Sequence, residues 1–236
     1  MFLSYFYRLS CTLLLLFHFQ NVLIAQTDQT IVTHDLETWT SVGFKFKPTK
    51  KIAFGLNQQM RRNHNASLTD QIITDLDVKY KFDHFLYLGA ALRYIADSKD
   101  EDFENKFRFN LDLGLKHDIN RFSFDYRLRY QNKNEIGISK SEGDESDNIF
   151  RLKVGVDYNI KKWKLDPQFS TELFSDLSEE SDKLAKIRFT FGTDYTLNKA
   201  HKIGAFYRLE REINEAYPKT TYIIGLNYTY TLKLKR

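Results

Sequence analysis

From Phe103 to Leu115 every second residue is apolar or neutral: Phe103, Asn105, Phe107, Phe109, Leu111, Leu113 and Leu115. The residues between them, Glu104, Lys106, Arg108, Asn110 and Asp112, are charged or polar. A period of two describes a strand with unlike faces. The same alternation recurs over 36–46, 52–61, 72–82, 86–94, 122–130, 150–160, 163–173, 185–195, 203–210 and 222–230. It predicts about eleven strands, most of roughly 10–13 residues, where soluble strands average about 5–6 and a tilted membrane-crossing strand needs about 9–11. No helical period interrupts them.

The links between these strands alternate in length. Short polar turns are expected at 48–50, 83–84, 118–121, 161–162 and 198–201, and longer loops at 62–69, 96–102, 132–147, 175–182 and 212–218. Short connections at one end and long ones at the other are the pattern of an outer-membrane barrel with its short turns in the periplasm. The fold class expected is therefore all-β, an antiparallel transmembrane β-barrel of 11–12 strands. Eleven strands leave the first and last running the same way, whereas bacterial single-chain barrels have even numbers. The stretch 27–33, TDQTIVT, then reads either as a short twelfth strand or as a segment threading the lumen.

Composition supports strands: 20 phenylalanines and 14 tyrosines stand against three prolines and ten glycines. Residues 1–25 read as a signal peptide, with Arg8 before an apolar core from Leu13 to Ile24 and a cleavage site after Leu23-Ile24-Ala25. Residues 26–236 form the barrel domain. The single cysteine, Cys11, would leave with the signal, so no disulfide, thiol nucleophile or cysteine metal site is expected. A net charge of +4, interspersed along the chain, gives no argument for nucleic acid. A soluble periplasmic barrel that binds a ligand would show the same alternation with its apolar face inward. Strand length, the signal peptide and the aromatics near strand ends (Tyr80, Phe82, Tyr94, Tyr130, Tyr158, Trp163, Tyr195, Tyr207, Tyr228, Tyr230) favour the inverted arrangement, apolar face to lipid. Outer-membrane lipids and the barrel-assembly machinery are the partners implied.

Three stretches, ETWTSVGFKFKPTKKIAFGLNQQMR, LTDQIITDLDVKYKFDHFLYLGAALRYI and FENKFRFNLDLGLKHDINRFSFDYRLRYQN, resemble the family named domain of unknown function 2490. The resemblance covers most of the chain after the signal. It implies an outer-membrane β-barrel of Gram-negative bacteria and carries no catalytic signature.

Candidate chemistry is sparse. His34, His64, His84, His117 and His201 are scattered over loops and turns, short of the three or four converging ligands zinc requires. His64 and Ser67 share a loop, which keeps a membrane-embedded lipid or lipopolysaccharide hydrolase as the alternative to a non-enzymatic barrel. The acidic run 139–148, SKSEGDESDN, reads as a solvated loop, with a calcium loop as the alternative. No cofactor is expected. The inward face is more informative. Oriented by the turns, its upper half carries a basic belt of Arg93, Arg108, Arg127, Arg129, Arg151, Arg188 and Arg208, with Arg61 and several lysines. Its lower half carries Asp75, Asp77, Asp112, Asp125, Asp157, Asp166 and Asp194. Two readings stay open: cross-strand ion pairs that fill a closed structural barrel, or a narrow pore whose vestibule attracts a small anionic solute.

Overall fold

The structure is a computed structural model that describes residues 32–99, 102–136, 147–161, 163–177 and 184–234. The signal-peptide stretch 1–25, residues 27–31 of the TDQTIVT segment and residues 137–146 of the acidic loop lie outside the described residues. The strands are β1 (Thr33–Lys47), β2 (Ile52–Asn63), β3 (Leu68–Lys81), β4 (Leu86–Lys99), β5 (Asp102–Ile119), β6 (Phe122–Glu135), β7 (Asp147–Tyr158), β8 (Leu165–Asp176), β9 (Leu184–Thr196), β10 (His201–Glu212) and β11 (Lys219–Lys233). They run from 12 to 18 residues and close into one barrel in sequence order.

Ten of the pairings are antiparallel hairpins, as the alternation predicts. The eleventh corrects the wholly antiparallel expectation. β1 and β11 pair in parallel, from Thr33↔Lys219 to Lys47↔Lys233. Ten successive reversals leave the first and last strands co-directional, so only a parallel seam can close the ring. That seam fills the place a twelfth strand would need, and Thr33, the last residue of TDQTIVT, belongs to β1. Parallel ladders are slightly weaker per residue, and here the loop end of the seam is tied by side chains. The Asp35 carboxylate accepts the backbone N–H groups of Asn65 (3.0 Å) and His64 (3.4 Å) and pairs with the Lys219 ammonium at 3.2 Å. The donors are aligned by consecutive left-handed residues, His64, Asn65 and Ala66, whose φ angles are 49°, 55° and 62°. Successive N–H groups in such a turn form an anion-binding concavity.

Turn chemistry follows the sequence. Asn120 takes φ 56° in the tight β5–β6 turn. Thr49 and Asn198 accept backbone N–H groups in the β1–β2 and β9–β10 turns. The loop end differs from expectation: β2–β3 is joined by 64–67 alone, no more than the four residues of the β1–β2 and β3–β4 turns, because β2 and β3 run on through 62–63 and 68–69, as β4 does through 96–99. The β6–β7 and β8–β9 connections are longer than any at the turn end, while β10–β11 (213–218) only equals β7–β8 (159–164).

The wall's polarity is the inverse of a soluble protein's. Val42 (61% exposed), Leu76, Leu111, Leu113, Phe191 (59%) and Leu226 all point outward. Aromatic side chains gather outside at the turn end, where Phe46 stacks on Phe54, Phe44 stacks on Tyr230, and Phe122 packs tilted against Tyr158. At the loop end Tyr94 and Tyr130 donate their hydroxyls to Asn105 and Asn148. Tyr207, grouped with the strand-end aromatics from sequence, instead sits mid-strand opposite Phe191 and Ile224. Inside, a few apolar side chains share the lumen with charge: Ile73 and Ile223 are fully buried, and Trp39, Tyr87, Ile95 and Phe174 nearly so. Two inward glycines make room for rings. A Cβ at Gly114 would collide with Tyr87, and one at Gly225 with Phe206, each the glycine's direct cross-strand partner.

Candidate functional site in the lumen

Each predicted belt residue lies on an inward-facing position, and each of them lines one cavity of about 1080 Å³. The alternation within β4 to β10 puts them there. The cavity reaches from the loop-end residues Glu215 and Tyr217 down to Ser41, Asn57 and Thr229. A smaller cavity of about 340 Å³ lies toward the turn end, among Asp125, Asp157, Gln168 and Asp194. Lys153, Ser170, Thr190, Phe206, Arg208 and Asn227 border both, so they form the layer between them.

Register decides which charges meet. Asp75 is the direct partner of Arg93, and Asp112 of Arg129. Arg93 forks onto Asp75, and Arg129 donates to both Asp112 oxygens at 2.6 and 2.7 Å, the bidentate geometry that makes arginine–carboxylate pairs strong. Two acids assigned to the lower belt thus stand level with arginines of the upper one. The densest cluster surrounds Glu172 on β8, which is buried. Its carboxylate receives Arg127 at 2.6 Å, Arg151 at 2.9 Å and Arg188 at 3.2 Å. Arg188 also reaches Glu210 at 2.6 Å, and Arg151 donates to Gln131 at 3.0 Å. Toward the turn end Lys116 pairs with Asp125 and Lys202 with Asp194, and Tyr87 donates its hydroxyl to Asp125 at 3.1 Å.

Two belt arginines are not matched this way. Arg208 donates to Thr190 at 3.0 Å and lies 4.8 Å from the Trp39 ring and 4.6 Å from Phe206, with no carboxylate at ion-pair distance among the described residues. Arg108 makes no hydrogen bond or ion pair to any described residue, and its Nε is buried. Its direct partners on both sides are cations, Arg93 on β4 and Lys133 on β6. Arg61, outside the seven-residue belt, behaves like Arg208: it stacks 3.6 Å over Trp39 and donates to Gln59 and Gln71. Trp39, on the inward face of β1, is a lumen residue that the basic belt did not include; its ring carries three cations, Arg61, Arg208 and, at 6.0 Å, Arg188, and its Nε1 donates to Glu37 at 2.8 Å. Guanidinium groups stack on indole rings by cation–π attraction.

The other sequence candidates do not assemble chemistry. Ser67 donates its hydroxyl to the backbone carbonyl of His64 at 2.6 Å, while the His64 imidazole turns to Asn63. His117 stacks on Phe124 and Tyr126, His201 bonds Tyr228, and His34 stacks on Tyr222. The imidazoles of His34, His117 and His201 thus sit among aromatics at strand ends. Among the described residues no group of three or more His, Cys, Asp or Glu is placed to hold a metal ion. Of the acidic loop's described residues, Asp147 pairs with Lys133 and Asn148 accepts from Tyr130 and Asn132.

These features define a closed eleven-strand barrel with an apolar exterior and an ion-paired lumen. Over residues 36–220 the chain matches the family described as Protein of unknown function (DUF2490), and it belongs to that family. No curated protein matches it.

Proposed function

We propose that this protein is an outer-membrane β-barrel without enzymatic activity, whose lumen forms a solute-admitting basin at the loop end and is constricted toward the turn end. The observation that carries the reading is the continuous apolar exterior. Exposed leucine, valine, isoleucine and phenylalanine side chains cover the outside of strands all around the ring, while arginine and aspartate fill the inside. In water such an exterior would be an aggregation surface; in hydrocarbon it is the required one, and a closed barrel leaves no unpaired strand edge there. The aromatics at the two strand ends match interfacial girdles. The turn end exposes Lys50, Lys51, Lys81, Arg121, Lys161, Lys164 and Lys199 against Asp83 and Asp118. That charge suits an anionic phospholipid leaflet, and so supports turns in the periplasm and loops outside. Export by a cleaved leader at 1–25 and insertion by the barrel-assembly machinery belong to the same reading.

The constriction rests on the layer of Lys153, Phe206 and Arg208 that divides the two cavities. The test is planar-bilayer recording of the purified barrel. Small or absent conductance steps are expected, together with a heat-modifiable band on detergent gels. Large ohmic steps would overturn the constriction, and failure to enter lipid would overturn the membrane reading.

A further inference from the structure

We infer that the large lumenal cavity binds an oxyanion, a phosphate or polycarboxylate group carried by a small solute, on Arg108 together with Arg61 and Arg208. The inference takes up the basin reading and names its ligand class; it does not depend on the barrel being in a membrane.

Three facts meet at one cavity. First, Arg108 offers its guanidinium donors with no acceptor among the described residues, between two cations that are its direct cross-strand partners. Like charges placed opposite one another destabilise a sheet, and an uncompensated charge away from bulk water is costly. Arg93 and Lys133 are each relieved by their own carboxylate, Asp75 and Asp147. Arg108 has none. Second, the charges that bear most on Arg108 are those of Arg93, Arg61 and Arg151, all of its own sign, while Asp75, which acts the other way, is already forked by Arg93. Third, Arg61 and Arg208 are held by stacking on Trp39 and by neutral hydrogen-bond acceptors, which fix their position without neutralising them. All three guanidiniums line the same cavity of about 1080 Å³, at or above the size of ordinary small-molecule sites, about 300–1000 Å³.

Elsewhere in this lumen Arg93, Arg127, Arg129, Arg151 and Arg188 each meet a carboxylate, and Glu172 alone serves three of them. The missing counter-charge beside Arg108 is therefore the ligand's. A planar guanidinium fork matches the paired oxygens of phosphate or carboxylate, and rings of arginine favour anions over cations.

The test is thermal unfolding of the detergent-refolded full-length barrel with sodium phosphate, against sodium chloride at equal ionic strength. Phosphate is expected to raise the wild-type Tm in a saturable way that chloride does not reproduce. In Arg108→Gln the half-saturating phosphate concentration is expected to rise about tenfold or more, as loss of a charge-assisted hydrogen bond implies. Arg61→Gln and Arg208→Gln should each weaken binding too, and either serves if Arg108→Gln fails to refold. Lys116→Gln, at the turn end, should bind as wild type. A folded wild-type barrel with no phosphate-specific shift would overturn the inference, as would an undiminished shift in all three arginine variants. Those failures differ from failure of the basin reading, which would appear as large conductance steps whether or not phosphate binds.

Discussion

Leu111 and Asp112 are neighbours in β5, yet they sit in opposite worlds. Leu111 is exposed on the outer wall; Asp112 is held inside by two hydrogen bonds from Arg129. The two faces also differ in how narrowly they constrain sequence. On the proposed membrane reading the outer face asks only for apolar side chains of adequate size, since a hydrocarbon solvent does not read shape. The inner face asks for particular partners at particular heights, because a charge away from water is costly unless matched. A mutation's cost should therefore follow from the face it lies on, and within the lumen from whether its charge is matched.

The largest effect is expected at the most shared partner. Glu172→Gln removes the carboxylate on which Arg127, Arg151 and Arg188 converge. Refolding stability in detergent should fall by about 3–5 kcal/mol, the cost of breaking a buried pair. A loss below about 1 kcal/mol would mean that the cluster is hydrated and the inner face as permissive as the outer.

Next comes the outer face itself. Leu111→Arg should cost roughly 2–4 kcal/mol when the barrel is refolded into lipid vesicles. Leu111→Phe should change little, because only polarity matters there. Equal tolerance of both substitutions would place that face in water.

A smaller effect is expected where the wall closes. Asp35→Ala removes the acceptor shared by His64, Asn65 and Lys219 beside the parallel seam. A loss of about 1–3 kcal/mol is expected from hydrogen bonds to a charged group, with faster hydrogen exchange confined to the loop-end residues of β1 and β11. Uniform exchange across all strands would show that Asp35 does not act on the seam.

The smallest effect is the most discriminating. Arg108→Gln, without phosphate, should leave stability unchanged or raise it by up to about 1 kcal/mol, since it removes a cation that no described residue matches. Denaturant midpoints for Arg108→Gln and Arg129→Gln should move apart, Arg129→Gln falling because it strands Asp112. Similar losses in both would reveal a partner for Arg108.

Much of this architecture could be read from alternation. The inward or outward assignment of Leu36 to Phe46, of Phe103 to Leu115 and of Ile203 to Leu209 agrees with the burial along those strands, because a strand's period of two survives any register. What depends on register could not be read. The chain gives no local sign that Asp75 stands opposite Arg93, so a tidy acidic belt beneath a basic one was the simpler picture. Ile73, Ile95, Phe174, Phe206 and Ile223 were overlooked as lumen residues, since an apolar side chain on the polar face breaks the pattern used to find the face. Their signal was adjacency: Ile72-Ile73 and Ile223-Ile224 are apolar pairs in which one member must point inward. The parallel seam was implied by the odd strand count, yet nothing in β1 or β11 announces it. The family resemblance was legible in the strand patterns and agrees with the match over 36–220.

The two tryptophans sit in unlike places: Trp39 is buried in the lumen, and Trp163, 61% exposed, lies in the β7–β8 connection at the turn end. Refolding Trp39→Phe and Trp163→Phe into vesicles whose acyl chains are brominated near the headgroup leaves one reporter in each protein. Bromine quenches indole fluorescence at short range. The account predicts strong quenching of Trp163 in the Trp39→Phe protein and little quenching of Trp39 in the Trp163→Phe protein. Equal quenching of both, or of neither, would contradict a barrel that turns its apolar face to lipid and its charged face to a protected lumen.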